Sequence, residues 1–168
     1  MQSNRTNEHI KLEARKVFTD YLETKKQRKT PERFGVLDEI YSNKEHVDAE
    51  GLFVQLKERG YRLSRATVYN TLELLVECGL VTKHQFGKNI ARYEGSYGSK
   101  QHDHMICKRC NKIIEFCDPR IQQIKNMIGE ILHFKVTEHS LHLYGNPIAD
   151  VNGKCVSCDK ELKMESLK

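Results

Sequence analysis

Between Gln101 and Cys110 the chain reads Gln-His-Asp-His-Met-Ile-Cys-Lys-Arg-Cys, two histidines, a carboxylate and two thiols in one short segment. Along an extended strand successive side chains face opposite sides, so His102 and His104 share one face and Asp103 points to the other. Cys107 and Cys110 stand at the spacing that lets both sulfurs of a knuckle reach one zinc ion, and Cys155 and Cys158 repeat it. Together the four thiols predict a tetrahedral structural zinc site, closed to solvent. The loop between the pairs is longer than in a compact zinc ribbon, so a helix and a strand must fold before the second pair arrives. Metal binding would then staple the C-terminal end onto its domain. Cys78 and Cys117 are read as buried thiols and not as ligands. A second donor set, Glu94, His102, His104 and Glu115, surrounds the first strand of this segment. Histidines with carboxylates suit zinc(II), iron(II) or manganese(II), and the ligand types do not choose among them. By periodicity alone, ordinary solvated side chains are an equal reading of that set.

The elements that must position these residues follow from apolar spacing. At 168 residues the chain can bury a core without disulfides, and paired Cys-x-x-Cys in a reducing compartment are metal ligands before they are disulfides. Charged residues scattered from Arg5 to Glu13 leave no apolar signal-peptide core, and no apolar run reaches membrane-spanning length, so a cytoplasmic protein is expected. The net charge is +5, and residues 1–93 hold 17 basic against 13 acidic side chains, so the positive field lies in the first half. That suits nucleic acid.

From Glu8 to Thr24, Ile10, Ala14, Val17, Phe18, Tyr21 and Leu22 recur at helical spacing. The basic run Lys25, Lys26, Arg28 and Lys29 interrupts the pattern. Thr30 followed by Pro31 opens a second helix, Asp48 caps a third closed by Gly60, and Ser64 caps a fourth closed by Gly79. Leu80 to Phe86 and Ile90 to Tyr93 are β-prone runs joined by Gly87-Lys88-Asn89, a hairpin. Three short helices followed by a hairpin is the order of a winged helix-turn-helix, in which the helix from Arg65 to Val76 enters the major groove. Gly95 to Lys100 is a hinge by composition. Beyond it, His104 to Cys107, Ile113 to Phe116 and Phe134 to Tyr144 are expected strands, and Pro119 opens a helix with Ile121, Ile124, Ile128, Ile131 and Leu132 on its apolar face. So thin a fold is expected to complete its core against a second copy. The fold class is therefore α+β: a winged-helix domain over residues 1–94, a hinge over 95–100, and a small α/β metal-binding dimerisation domain with a four-cysteine zinc site over 101–168.

Jointly these segments amount to a family resemblance. His46-Val-Asp-Ala-Glu50, Ala66-Thr-Val-Tyr-Asn-Thr-Leu72, His102-Asp-His-Met-Ile-Cys107 with Cys110, Ile114-Glu-Phe116 and His139-Ser-Leu-His-Leu-Tyr-Gly145 resemble the ferric uptake regulator family in order and spacing. The resemblance implies a homodimeric, metal-sensing transcriptional repressor that binds double-stranded operator DNA, with no membrane or small-molecule substrate as partner. It adds His46 to Glu94, His102, His104 and Glu115 in the regulatory site. Ligands from both domains imply that filling the site sets the angle between them, a coupling typically worth about 1–3 kcal/mol. Because the ligands must be deprotonated, the response is expected to weaken in mild acid. Iron(II) is the expected regulatory metal beside structural zinc, since Glu94 and Glu115 are the carboxylates of an iron-type sensor. Zinc, manganese and peroxide sensors of the same family remain alternatives.

The family's further metal site corresponds here to Gln101, Asp103, Gln122 and His139. Two amides in place of strong ligands predict a weak or empty site at Asp103 and His139. On the DNA side the resemblance points to Tyr69 as a base contact, with Thr67 and Arg33 near phosphates. Asn70 has two equal readings, a bidentate contact to adenine or a solvated side chain. Arg65 and Lys83 are read as phosphate contacts or, equally, as ordinary surface charges. His142 is read as a surface histidine. Two other function classes fit the residues less well. A zinc-dependent enzyme using Glu115 or Asp103 as base finds no His-Glu-x-x-His helix, and a metal-storage module would leave the winged-helix pattern unexplained.

Overall fold

Thr30, Asp48 and Ser64 set where three helices begin, because a short polar side chain ahead of an apolar run satisfies N–H groups that the first turn leaves open. In the computed structural model, which describes residues 2–43, 46–86, 90–98 and 101–148, each does so. Thr30 Oγ1 accepts the Arg33 N–H at 3.4 Å, Asp48 Oδ1 the Gly51 N–H at 2.7 Å, and Ser64 Oγ the Thr67 N–H at 3.1 Å. The chain divides into two compact units, Met1–Ser99 and Lys100–Lys168.

The first unit contains α1 (Gln2–Thr24), α2 (Pro31–Ser42), α3 (Ala49–Glu58), α4 (Arg65–Glu77), β1 (Val81–Phe86) and β2 (Ile90–Gly95). α1 begins ahead of the Glu8 start expected from apolar spacing, because helical backbone continues through residues that need no buried face. Gly60 and Gly79, at φ +86° and +73°, let the chain turn left-handed after α3 and α4, where a Cβ would be strained. The core joins Phe18 and Leu22 of α1, Leu37 of α2, Leu52 and Leu56 of α3, and Val68, Leu72 and Leu75 of α4. β1 and β2 pair antiparallel, Val81 opposite Gly95 and Phe86 opposite Ile90; the connecting residues 87–89 lie outside the described residues. This is the winged helix-turn-helix order.

Tyr41 fastens the end of β2 to the helices. Its buried hydroxyl donates to Leu80 O at 2.7 Å and accepts the Tyr97 N–H at 3.2 Å, and burial pushes the phenol up to about 12. A Cβ on Gly95 would stand 3.1 Å from the Tyr41 ring, so glycine permits that approach. Residues 95–97, hinge-like in composition, are therefore bonded to the first unit, and Ser96 adds a hydroxyl bond to Gly79 O.

In the second unit β3 (Asp103–Cys107) is central, with β4 (Ile113–Phe116) antiparallel on one side and β5 (His142–Gly145) parallel on the other. α5 (Pro119–Leu132) lies between β4 and β5 in sequence, with Asp118 accepting the Arg120 N–H at 2.9 Å at its start. The Arg120 guanidinium beside Asp118 holds that carboxyl at about 2. The expected strand from Phe134 to Tyr144 is shorter than its apolar composition predicts. β3 pairs with His142 to Gly145 and donates the His104 N–H to Leu141 O at 3.0 Å, and residues 134–140 stand outside that ladder. Ile124, Met127, Ile128, Ile131 and Leu132 of α5 are all exposed, as is Phe134.

Removing only the Tyr41 hydroxyl tests its fastening role. Tyr41→Phe takes one of two donors from Leu80 O, which keeps the Ser96 N–H at 3.0 Å, and is expected to lower stability by about 0.5–1.5 kcal/mol in urea unfolding. Hydrogen exchange at the Tyr97 amide should quicken in the same variant.

Candidate metal centre

Three backbone facts place the histidines and carboxylates. In the first unit, Val47 and Tyr93 exchange both backbone hydrogen bonds, N to O at 3.0 and 2.8 Å. This bridge sets His46 beside Glu94, the residues flanking each partner. His46 Nε2 lies 3.3 Å from Glu94 Oε2, and both side chains are largely buried. The other oxygen, Oε1, is 2.5 Å from His84 Nε2. His84 stacks on Phe86 at 5.2 Å, and His46 meets both rings edge-on. Sequence reasoning missed His84. The signal available was diagonal pairing: His84 faces Arg92, so Glu94 is its same-face neighbour across the hairpin.

In the second unit the two-residue period of β3 sorts the side chains. His104 is opposite Glu115 on β4, and His102, two residues earlier, shares its face. The His102 and His104 rings are 4.8 Å apart, His102 Nε2 is 3.8 Å from Glu115 Oε1, and the donor atoms of all three residues lie within 4.8 Å of one another. His104 is buried, and Glu115 is exposed. Borderline nitrogen and hard oxygen donors so arranged suit a divalent transition metal.

Asp103 faces the other side, where its Oδ1 is 3.2 Å from His139 Nε2. That contact has ion-pair distance without hydrogen-bond geometry, and Asp103 Oδ1 and both His139 nitrogens are buried with no hydrogen bond. The amides expected to weaken this site point elsewhere. Gln101 Nε2 donates to the His139 carbonyl at 2.9 Å, and Gln122 Nε2 to Asn126 Oδ1 on its own helix at 3.2 Å.

At the end of β3, Cys107 and Cys110 flank a tight turn. Asn111, left-handed at φ 58°, donates its N–H to Cys107 O at 2.9 Å, and the Cys107 N–H goes to Lys112 O at 3.0 Å. The Lys108 N–H bonds Gly145 O at 2.9 Å, tying the end of β5 to the knuckle. Cys107 is buried and Cys110 half-buried; of the two thiols expected to be buried, Cys78 is half-buried and Cys117, just past the end of β4, is exposed. Cys155 and Cys158 lie outside the described residues.

On α4, Val68, Thr71, Leu72 and Leu75 are buried, which turns Tyr69 and Asn70 outward. Thr67 joins the Ser64 cap. Arg65 grips Glu50 through Nε at 2.8 and 3.1 Å and lies 4.5 Å over the Phe53 ring, so it is held against α3. Arg33 donates to Arg28 O at 2.8 Å and Gln27 Oε1 at 3.0 Å, bracing the basic segment. With Lys26, Arg28 and Thr67 it lines an open cleft that also takes in Arg62, a cation the sequence reading passed over. Lys83 is exposed on β1.

The family model described as the ferric uptake regulator family matches residues 24–144. The chain belongs to that family. Among its relatives, the ferric uptake regulation protein of Campylobacter jejuni is 40% identical over 118 residues, covering 69% of this chain and 74% of that one. The peroxide operon regulator of Bacillus subtilis is 31% identical over 143 residues, 83% and 92% of the two chains. Among solved structures, the Vibrio cholerae ferric uptake regulator is 33% identical with a TM-score of 0.65, covering 74% of this chain and 95% of that one. Ferric uptake regulator proteins are metal-responsive transcription regulators, which removes the enzyme reading. Their architecture is α+β, a winged helix-turn-helix followed by a dimerisation domain. Among the described residues of this regulator no helix is long and apolar enough to cross a membrane.

Restoring strong donors around Asp103 tests the reading of that side of the sheet. Gln101→His combined with Gln122→Glu is expected to raise the divalent metal retained by dialysed protein, measured by plasma mass spectrometry. Unchanged content would show that the Asp103–His139 pair cannot be completed into a site.

Proposed function

We propose that this regulator is an iron(II)-responsive cytoplasmic repressor that binds an operator as a homodimer. The observation that carries the reading is the pair of donor half-sets, His46 with Glu94 in one unit and His102, His104 with Glu115 in the other. They belong to opposite ends of the short segment 95–100, which supports a division into a DNA-binding domain over 1–94, a hinge, and a dimerisation domain over 101–168. A bound ion supplies one positive centre that neutral imidazoles and ionised carboxylates from both units can share. His46 and Glu94 then give the DNA-binding unit a stake in metal occupancy, and the two equilibria are linked reciprocally. Asp103 and His139 form the weak or empty third position.

Cys107 and Cys110 suit structural zinc, being soft donors on a turn fixed by backbone bonds, and Cys155 and Cys158 would complete the tetrahedron. Tyr69 and Asn70 face outward on the recognition helix as base-reading positions. Arg33 and Thr67 line the basic cleft and Lys83 the hairpin, as phosphate contacts, whereas Arg65 must leave Glu50 to reach one. Iron is favoured over peroxide sensing by the carboxylates Glu94 and Glu115 and by the higher identity to a ferric uptake regulation protein. Manganese and zinc stand as the second reading because the donor types accommodate them.

The test is anaerobic binding to the chain's own upstream DNA at fixed salt, titrated with iron(II), manganese(II) and zinc(II). Iron(II) should strengthen binding by roughly 5- to 150-fold, the usual range for such coupling, and His102→Ala should remove the gain. Tight binding indifferent to metal and to the substitution would sink the sensor reading. The exposed apolar face of α5 supplies the dimer contact in this proposal. Ile128→Asp with Ile131→Asp is expected to give a monomer by sedimentation, with DNA affinity lost even when metal is saturating.

A further inference from the structure

The face of the second unit that carries His102, His104 and Glu115 holds one more donor. Parallel pairing sets His142 of β5 directly opposite His104, as antiparallel pairing sets Glu115 on the other side. Residues in lateral register on neighbouring strands point to the same face, about 4.5–5.5 Å apart at Cβ. A row Glu115, His104, His142 therefore crosses all three strands, with His102 beside its centre. The His104 and His142 rings are 5.5 Å apart, and their donor atoms lie within 4.8 Å. Ser140 Oγ, 3.1 Å from His142 Nε2, steadies the ring as outer partners of metal-binding histidines do.

We infer that the second unit by itself can hold a divalent transition metal on four donors, His102, His104 and Glu115, which already cluster, and His142, drawn in from its place beside His104 as a further ligand. The inference rests on the regulatory role proposed above for the first three of these residues, and it adds an order of events. Four donors saturate a tetrahedral ion such as zinc without any ligand from the first unit. A six-coordinate ion keeps two positions open, the number that His46 and Glu94 can fill. On this account the second unit captures the ion, and coordination number decides whether the DNA-binding unit is recruited.

The experiment uses the full-length chain with zinc already on its cysteines and cobalt(II) as the titrant, followed by visible absorption and calorimetry. His46→Ala with Glu94→Ala is expected to keep cobalt binding within about 10-fold of wild type and to intensify the visible bands as the ion becomes four-coordinate. Adding His142→Ala should weaken binding by roughly 100-fold or more, at least the loss that removing an outer-shell partner can cause. Where circular dichroism shows that alanine disturbs β5, His142→Phe keeps the ring, deletes both nitrogens and gives the same result. Loss of cobalt binding in the His46/Glu94 variant, or unchanged binding on removing His142, would overturn the inference and leave the shared regulatory site standing. Full cobalt binding in His102→Ala would instead overturn the regulatory site itself.

Discussion

Alternation along β3 is the constraint on which the metal chemistry of the second unit depends. Five residues of extended backbone send His104 and Asp103 to opposite faces and deliver Cys107 to a turn at the strand's end. One short strand thereby serves three donor sets without mixing them. A register slip of one residue would exchange the faces, bringing Asp103 to the histidine side and His104 to the Asp103–His139 side. Central position makes such a slip costly. β3 is hydrogen-bonded on both edges, and the Lys108 N–H to Gly145 bond locks β5 at the knuckle.

The first unit solves a different problem, which is to bring two residues far apart in sequence into one charge environment. The Val47–Tyr93 bridge does this with backbone bonds, which fix the backbone spacing of His46 and Glu94, while the His84 and Phe86 rings pack against the side chains. His84 then occupies the second oxygen of Glu94, which leaves Oε2 turned toward His46. The same β2 strand ends at Gly95, where the Tyr41 ring and hydroxyl fasten it to the helical core. Motion of the chain end after β2 is thus resisted close to the donor it carries.

α5 and the basic cleft show what each unit leaves for partners. A helix whose apolar face is exposed from Ile124 to Leu132, more than two turns, is poorly suited to a monomer, and this family's proteins dimerise through the domain that contains it. The cleft at Arg33 and Arg62 keeps several guanidinium and ammonium groups near one another on the first unit, a field that phosphate relieves.

Much of this protein was legible in its residues because the informative patterns are local. Helix caps at Thr30, Asp48 and Ser64 act within one turn, the hairpin follows from alternation around a glycine turn, and Cys107-x-x-Cys110 describes a knuckle by spacing alone. The family motifs extended that reading to His46, a residue that no period in the sequence ties to Glu94. Tertiary structure decided the rest, since lateral neighbours in a sheet depend on register and strand order, which are set by long-range pairing. His84 and His142 are the cases in point. On an ideal strand running from Phe134, His142 faces away from His139. The parallel pairing of β5 with β3, which begins only after residues 134–140, puts its ring beside His104.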